Sequence, residues 1–191
     1  MLGLGNTLVK SGGLISAFNN YSLTFDGTDD YVDCGSISEV AVTNNVTVSL
    51  WVQAPNIASF DCFFSRQVDS DNLIKVWWYN NKIAMEVWEG GTKFNSLASW
   101  TPDSDWHHFV WSWDTSGTPE EAKNALYLDD VPQTLTSGAG WGNKSCTTDF
   151  LIGTGLYSDY FNGLIDEVAI WDVGLDAEAV SSIYNSGSPI N

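Results

Sequence analysis

Acidic side chains are the clearest candidates for chemistry in this chain, and they concentrate in two places. Asp26, Asp29 and Asp30 lie within five residues near the start, and Asp166 enters an otherwise apolar segment near the end. A buried charge without a partner is costly, so a carboxylate in such a segment needs a counter-charge. Because 24 acidic residues face only 7 basic ones, a metal ion is a candidate partner. We therefore expect the first and last strands to lie side by side with these carboxylates between them.

Aromatic side chains form a second group of candidates. Residues 73–79 and 82–88 alternate in polarity on either side of Asn80-Asn81, a pair that tolerates positive φ, so they predict a β-hairpin. One face of this hairpin is then core, and the other displays rings beside polar groups, a combination that holds sugars. The glycan-binding candidates are Lys75, Trp77, Tyr79, Glu86 and Trp88, with Trp141 on a glycine-rich loop. The alternative is that these rings cover a second sheet.

Catalytic arrangements are not predicted. A glycosidase needs two carboxylates across a cleft, about 5–9.5 Å apart. Asp166 and Glu167 are adjacent on a predicted strand, so we expect them to point to opposite faces. His107 and His108 fit a strand pattern and are predicted to be packed or hydrogen-bonded. The sequence contains no local Ser–His–Asp or Cys–His signature, and its three cysteines have no metal-ligand spacing.

The candidate acidic and aromatic side chains lie on short segments in which apolar and polar residues alternate. These segments are separated by turn residues, and we predict that they are β-strands. The chain has 191 residues and 17 glycines, which favours one domain with many turns. Asp176 is a candidate N-cap for a helix running to about Tyr184. We predict an all-β, two-sheet antiparallel sandwich with one short C-terminal helix. Its predicted strands cover 22–26, 31–32, 46–52, 60–65, 73–79, 82–88, 107–114, 125–129, 150–153 and 164–171.

Charge excludes some partners. A formal net charge of −17 argues against nucleic acid, which attracts basic surfaces. No apolar run is long enough for membrane insertion, and the first residues lack the pattern of a secretory signal. We therefore expect a protein that is made in the cytoplasm and is soluble there.

The first 19 residues differ from the rest and are predicted to be an apolar, glycine-rich arm, with the folded domain at 20–191. An arm of this composition is too apolar for a solvated tail and too rich in glycine for a stable helix. We expect it to pack on a neighbouring subunit, or alternatively on its own domain. Its apolar residues are Leu2, Leu4, Leu8, Val9, Leu14 and Ile15.

Several segments resemble the laminin-G-like jelly roll of the concanavalin A-like lectin/glucanase superfamily. They are 23–32, 46–52, 106–114, 126–130, 161–171 and 175–187. The resemblance implies a jelly roll with a structural Ca²⁺ between its first and last strands. Carried over by position, Asp26, Asp29 or Asp30, and Asp166 would supply ligands, whereas the alternative is that these acids cap turns. The Glu-x-Asp-x-x-Glu arrangement of the glucanase members is missing here.

An apolar, glycine-rich start such as residues 1–12, followed directly by such a jelly roll, resembles virion proteins of tailed bacteriophages. This resemblance implies a non-enzymatic structural protein of the virion: a decoration, fibre or tail-associated subunit. Its partners would be other virion proteins or copies of itself, with a lectin-like domain exposed to glycans. The alternatives are a stand-alone carbohydrate-binding module and, less favoured, a glycan-degrading enzyme.

Overall fold

The computed structural model describes residues 21–37, 42–43, 45–58, 60–89, 92–114, 124–137, 144–145, 148–155, 159–184 and 187. The predicted N-terminal arm and Trp141 lie outside these residues. Within them the chain forms antiparallel strands and one helix. The strands are β1 (Leu23–Asp26), β2 (Val32–Asp33), β3 (Val42–Thr43), β4 (Asn45–Gln53), β5 (Cys62–Asp69), β6 (Asn72–Tyr79), β7 (Lys82–Glu89), β8 (Thr92–Ser99), β9 (His107–Asp114), β10 (Asn124–Leu128), β11 (Val131–Pro132), β12 (Thr136–Ser137), β13 (Lys144–Ser145), β14 (Phe150–Ile152) and β15 (Asn162–Trp171), and the helix is α1 (Ala177–Ile183).

Two large sheets face each other across one core. In the described part of the chain, the first sheet has six strands in the order β1-β15-β4-β9-β10-β11. The second has seven, in the order β12-β8-β7-β6-β5-β14-β2, and β13 pairs with β3 in a separate ribbon. The predicted all-β, jelly-roll-like sandwich with a short C-terminal helix is confirmed.

The first and last strands are neighbours, as the sequence predicted. Leu23 lies opposite Ile165, and Asp26 lies opposite Asn162. Further along β15 the register against β4 shifts between Asp166 and Ala169, and Glu167 has φ +49°. One extra residue on β15 makes this a β-bulge, which breaks the regular alternation of side chains. The prediction that Asp166 and Glu167 point to opposite faces assumed a regular strand, and that assumption is wrong at this position.

Side-chain alternation elsewhere follows the prediction. The hairpin of β6 and β7 turns at Asn80-Asn81, whose φ angles are +53° and +62°. Apolar residues of both sheets fill the space between them, and ten of those in the described part of the chain are aromatic. The buried core includes Phe25, Val46, Val48, Leu50, Val52, Phe63, Phe64, Ile74, Val76, Trp78, Ile83, Met85, Val87, Trp111, Trp113, Phe161 and Ile165.

The strand β8 is not predicted by the sequence pattern. β8 covers Thr92–Ser99 and pairs with β7 along its whole length. Its sequence, TKFNSLAS, has few β-branched or aromatic residues, so its strand propensity is weak and its structure depends on pairing with β7. β5 was also predicted too early, since it runs over Cys62–Asp69 and not 60–65.

The helix packs on the outer face of the six-stranded sheet. Oδ1 of Asp176 accepts a hydrogen bond from the Ala179 amide at 3.0 Å, which confirms the predicted N-cap. Val180 is fully buried against Val110 and Tyr127. The helix therefore covers apolar positions that the sheet would otherwise expose.

Candidate functional site

An acidic cluster forms at the turn that follows β1. Carboxylate oxygens of Asp26, Asp29 and Asp30 lie within 4.8 Å of one another, and all three residues are exposed. Oδ1 of Asp26 accepts a hydrogen bond from the Thr28 amide at 2.7 Å, and Oδ2 of Asp30 accepts one from the Asp26 amide at 3.1 Å. Oxygen donors at this spacing suit a hard cation with ligand distances of about 2.3–2.6 Å. The donor set therefore fits Ca²⁺ in kind and in spacing.

Asp166, the fourth predicted ligand, lies elsewhere. Asn162 is the residue opposite Asp26, and Asp166 is four positions further along β15, which corresponds to roughly 13 Å at the rise of a strand. Its Oδ1 accepts a hydrogen bond from the Glu167 amide at 2.8 Å, within the bulge. Pairing of the two strands is as predicted, but its register places Asn162 beside the acidic turn.

The outer face of the β6–β7 hairpin is more covered than predicted. Trp77 is 9% exposed, Lys75 is 5% exposed and Glu86 is 3% exposed. Lys75 and Glu86 are direct cross-strand neighbours, and the indole nitrogen of Trp88 donates to Oε2 of Glu86 at 3.2 Å. The prediction that this whole face is displayed to solvent is wrong, because other segments pack over its centre.

The segment before β15 supplies one such contact. The Lys75 ammonium lies 3.4 Å from Oδ2 of Asp159 and 3.3 Å from the centre of the Trp77 ring. The amide of Cys62 also donates to the Asp159 carbonyl at 3.2 Å. Burial raises the pKa of Asp159, although the Lys75 charge opposes this change. These contacts make Lys75 part of the packing of the sheet.

Three aromatic rings remain together at the exposed end of this face. Tyr79 stacks on Trp77, with ring centres 5.6 Å apart and planes 13° apart. The Phe60 ring lies 5.3 Å from Trp77 and 5.1 Å from Tyr79. Phe60 and Tyr79 are 45% and 42% exposed. We call Phe60, Trp77 and Tyr79 the aromatic platform.

Phe60 was not among the predicted site residues. It has φ +86°, a strained conformation for a residue with a side chain, and its amide donates to the Trp78 carbonyl at 2.9 Å. The sequence placed Phe60 inside a strand, where alternation would not bring it over β6. Only the irregular backbone before β5 brings its ring to Trp77 and Tyr79.

The two histidines are engaged in internal contacts, as predicted. His107 contacts Oδ2 of Asp129 through Nδ1 at 2.7 Å and Oδ1 of Asp103 through Nε2 at 3.0 Å. Nε2 of His108 lies 2.7 Å from Oγ of Ser49, and the His108 ring is 1% exposed.

The His108–Ser49 contact lacks the geometry of a catalytic triad. His108 packs against both Trp51 and Tyr184, which also stack on each other, so its ring is covered. Its Nδ1 has no hydrogen-bond partner within the described part of the chain, whereas a triad requires a carboxylate there. The contact is therefore a packing arrangement.

No helix among the described residues has the length and apolar character needed to cross a lipid bilayer.

Comparison with known proteins identifies related folds. The model of the Concanavalin A-like lectin/glucanases superfamily matches residues 26–181. None of the curated protein sequences matches the chain significantly.

Solved structures with the same fold include several binding domains. Domain 4 of AbnA, a GH43 extracellular arabinanase from Geobacillus stearothermophilus, in complex with arabinotriose, has a TM-score of 0.68 at 18% identity, covering 94% of this chain and 82% of that one. The binding domain of Paraclostridial Mosquitocidal Protein 1 has a TM-score of 0.69 at 12% identity, covering 94% and 47%. The binding domain of botulinum neurotoxin serotype G has a TM-score of 0.61 at 13% identity, covering 89% and 47%. This chain thus spans about half the length of the two toxin domains, and at these identities the likeness shows the fold alone.

Proposed function

Since the chain belongs to the Concanavalin A-like lectin/glucanases superfamily, whose model matches residues 26–181, we propose that it is a non-catalytic glycan-binding module. The single observation that carries this proposal is the aromatic platform of Phe60, Trp77 and Tyr79. Phe60 and Tyr79 are exposed and lie together over the buried Trp77 ring, and a contiguous exposed apolar patch is typical of a binding surface. Stacked rings beside polar groups are suited to the apolar face and the hydroxyl groups of a sugar.

The platform also has the rigidity that a binding surface needs. The Lys75 ammonium lies over one face of the Trp77 ring, 3.3 Å from its centre, and so fixes the ring plane. Tyr79 stacks on that fixed ring and is the last residue of β6. Preorganised rings lose little conformational entropy when a ligand binds, which favours affinity.

The test is glycan binding by the platform. The wild type and Tyr79→Ala are each tested on an array of neutral and acidic oligosaccharides. Arabinotriose is the first probe for binding in solution. Loss of a central stacking ring is expected to weaken binding at least about tenfold. Tyr21→Ala is the matched control, because Tyr21 is 85% exposed and precedes β1 of the other sheet. Absence of binding by the wild type to every glycan would overturn the proposal.

We further propose that the domain serves as an exposed part of a virion structural protein, attached through the arm at residues 1–19. Supporting this are the apolar, glycine-rich composition of the arm and its resemblance to virion proteins. The full chain is then expected to form oligomers or to join particles, and a chain lacking residues 1–19 is expected to be monomeric. Sedimentation of both chains checks this, and a full chain that is monomeric and joins no particle contradicts it.

A further inference from the structure

A second open site lies at the β2 edge of the seven-stranded sheet, and Phe60, Trp77 and Tyr79 are not among its lining residues. A groove of about 440 Å³ is lined there by residues of β2, β5, β14 and the segment before β15. Tyr31 and Tyr160 contribute aromatic rings, and Tyr31 is 53% exposed. Its volume lies in the range of small-ligand sites, but it is an open groove with a mostly polar lining.

The groove is acidic. Asp33 and Asp149 are both exposed residues that line it, and its described lining contains no lysine, arginine or histidine. Arg66 is nearby on β5, but it is 3% exposed and its guanidinium donates to the Thr148 carbonyl at 2.7 and 3.1 Å. That hydrogen bonding holds Arg66 in the wall, and Arg66 is not one of the lining residues.

The groove also offers hydrogen-bond acceptors. Gln67 lines it, but its side-chain nitrogen is buried and is not accessible from the groove. Carboxylates accept hydrogen bonds from ammonium and hydroxyl donors alike, and tyrosine rings offer their faces to a cation. Together they select a ligand that carries both a positive charge and hydroxyl groups.

We propose that this groove binds a sugar with a free ammonium group, that is, a deacetylated amino sugar. Asp33 lies opposite Leu151, which follows Asp149 by two residues, so alternation places the two acidic side chains on the same face. The ammonium binds at these carboxylates, and the ring packs on the tyrosines. This inference rests on the proposed glycan-binding function, but it uses a different surface and a different selectivity. An anionic sugar is disfavoured there by like charge, and an N-acetylated sugar lacks the charge that the two aspartates select.

The experiment compares two probes that differ mainly in charge. Tetramers of glucosamine and of N-acetylglucosamine are titrated calorimetrically into the full chain at low and at moderate salt. We expect the glucosamine tetramer to bind at least about tenfold more tightly, with affinity falling as salt rises. The double variant Asp33→Asn with Asp149→Asn is expected to lose this preference, because Asn retains the size of the side chain but removes its charge.

A matched variant separates the groove from the overall negative charge. Asp172→Asn with Glu178→Gln removes the same two charges at exposed positions outside the groove, and it should bind the glucosamine tetramer as the wild type does. Equal loss in both double variants would show general electrostatic attraction and would overturn the proposal. Equal binding of the two probes would overturn it as well while leaving glycan binding intact. Failure of both probes also overturns it, and glycan binding at the platform is then judged by Tyr79→Ala alone.

Discussion

The Lys75 ammonium lies 3.4 Å from Oδ2 of Asp159, a residue 84 positions further along the chain. Their side chains are only 7% and 13% exposed, so water screens the pair weakly. The pair joins the centre of the seven-stranded sheet to the segment that enters β15. It therefore stabilises the covered face beside the aromatic platform.

Lys75→Met is expected to destabilise the domain by about 3 kcal/mol, because it leaves the Asp159 carboxylate buried without its partner. Chemical denaturation checks the free energy of unfolding. Lys82→Met, at the more exposed start of β7, is the control and should change it by less than about 0.5 kcal/mol. The double variant Lys75→Met with Asp159→Asn should recover much of the loss. A Lys75→Met variant as stable as wild type contradicts the importance of the pair.

His108 predicts a loss of stability in acid. Burial lowers its pKa to about 4, and the charges of Asp129 and Asp130 only partly oppose this effect. The unfolded chain binds a proton near pH 6.5, and the folded chain binds it near pH 4. The stability due to neutral His108 is thus complete above pH 6.5 and falls with pH across this window, by about 3 kcal/mol in total. Urea unfolding from pH 4 to pH 7.5 should show a steeper dependence for wild type than for His108→Gln. If stability falls with pH equally in wild type and in His108→Gln, His108 does not cause the loss of stability in acid.

For His107 we predict the opposite pH dependence, in which stability falls as the pH rises. Burial alone would lower its pKa, but hydrogen bonds to Asp129 and Asp103, together with their charges, raise it above the usual value. Its contribution is complete below pH 6.5 and is lost as pH rises through the raised pKa. The effect is about 1 kcal/mol, since Asp103 is exposed and solvent screens that contact. Wild type should therefore lose stability relative to His107→Gln as the pH rises above 6.5. An NMR titration that gives His107 a pKa below 6.5 would refute this.

The acidic turn predicts a dependence on Ca²⁺. At about a hundredfold excess over its Kd, Ca²⁺ should raise the Tm by roughly 5–10 °C, and chelation should reverse the change. Asp29→Asn with Asp30→Asn should abolish the effect, because it removes two of the three clustered carboxylates. Asp166→Asn should leave it intact, because Asp166 is four positions from the residue that faces the turn. A Tm that changes neither with added Ca²⁺ nor with chelator rules out a structural Ca²⁺ ion at this turn.

Gly163 lies on β15 between β1 and β4, where we predict that there is no room for a larger side chain. It has φ +155°, and a Cβ atom there would lie 2.5 Å from the Gln53 carbonyl oxygen, which is backbone and cannot move without separating β15 from β4. Gly163→Ala should cost about 2–4 kcal/mol in the free energy of unfolding. Gly35→Ala is the control, because Gly35 has φ +68° but nothing within 4 Å of its added Cβ, and it should cost about 1 kcal/mol. Equal losses at both sites would show that strain, and not the clash, decides the effect.

Sequence periodicity predicted the all-β architecture and most of its long strands, but not β8. Alternation in β4, β6, β7 and β9 places most of their apolar residues on the core face, because successive side chains of a strand point to opposite sides, although Trp77, Ala84 and Val110 pack on the outer faces. The Asn80-Asn81 turn and the Asp176 cap were likewise predictable, since each depends on a local conformational preference or a local hydrogen bond. The pairing of first and last strands followed from the acids at the two ends, and it is confirmed.

What the outer surfaces present was decided only by the tertiary structure. The sequence could not show that Asp159 covers Lys75, that a bulge interrupts β15 at Glu167, or that Phe60 folds back over Trp77. Each depends on residues far apart in sequence or on an irregular backbone, and periodicity carries no information about either. Alternation determines which face a side chain occupies, but only the packing of distant segments determines whether that face is open to a ligand.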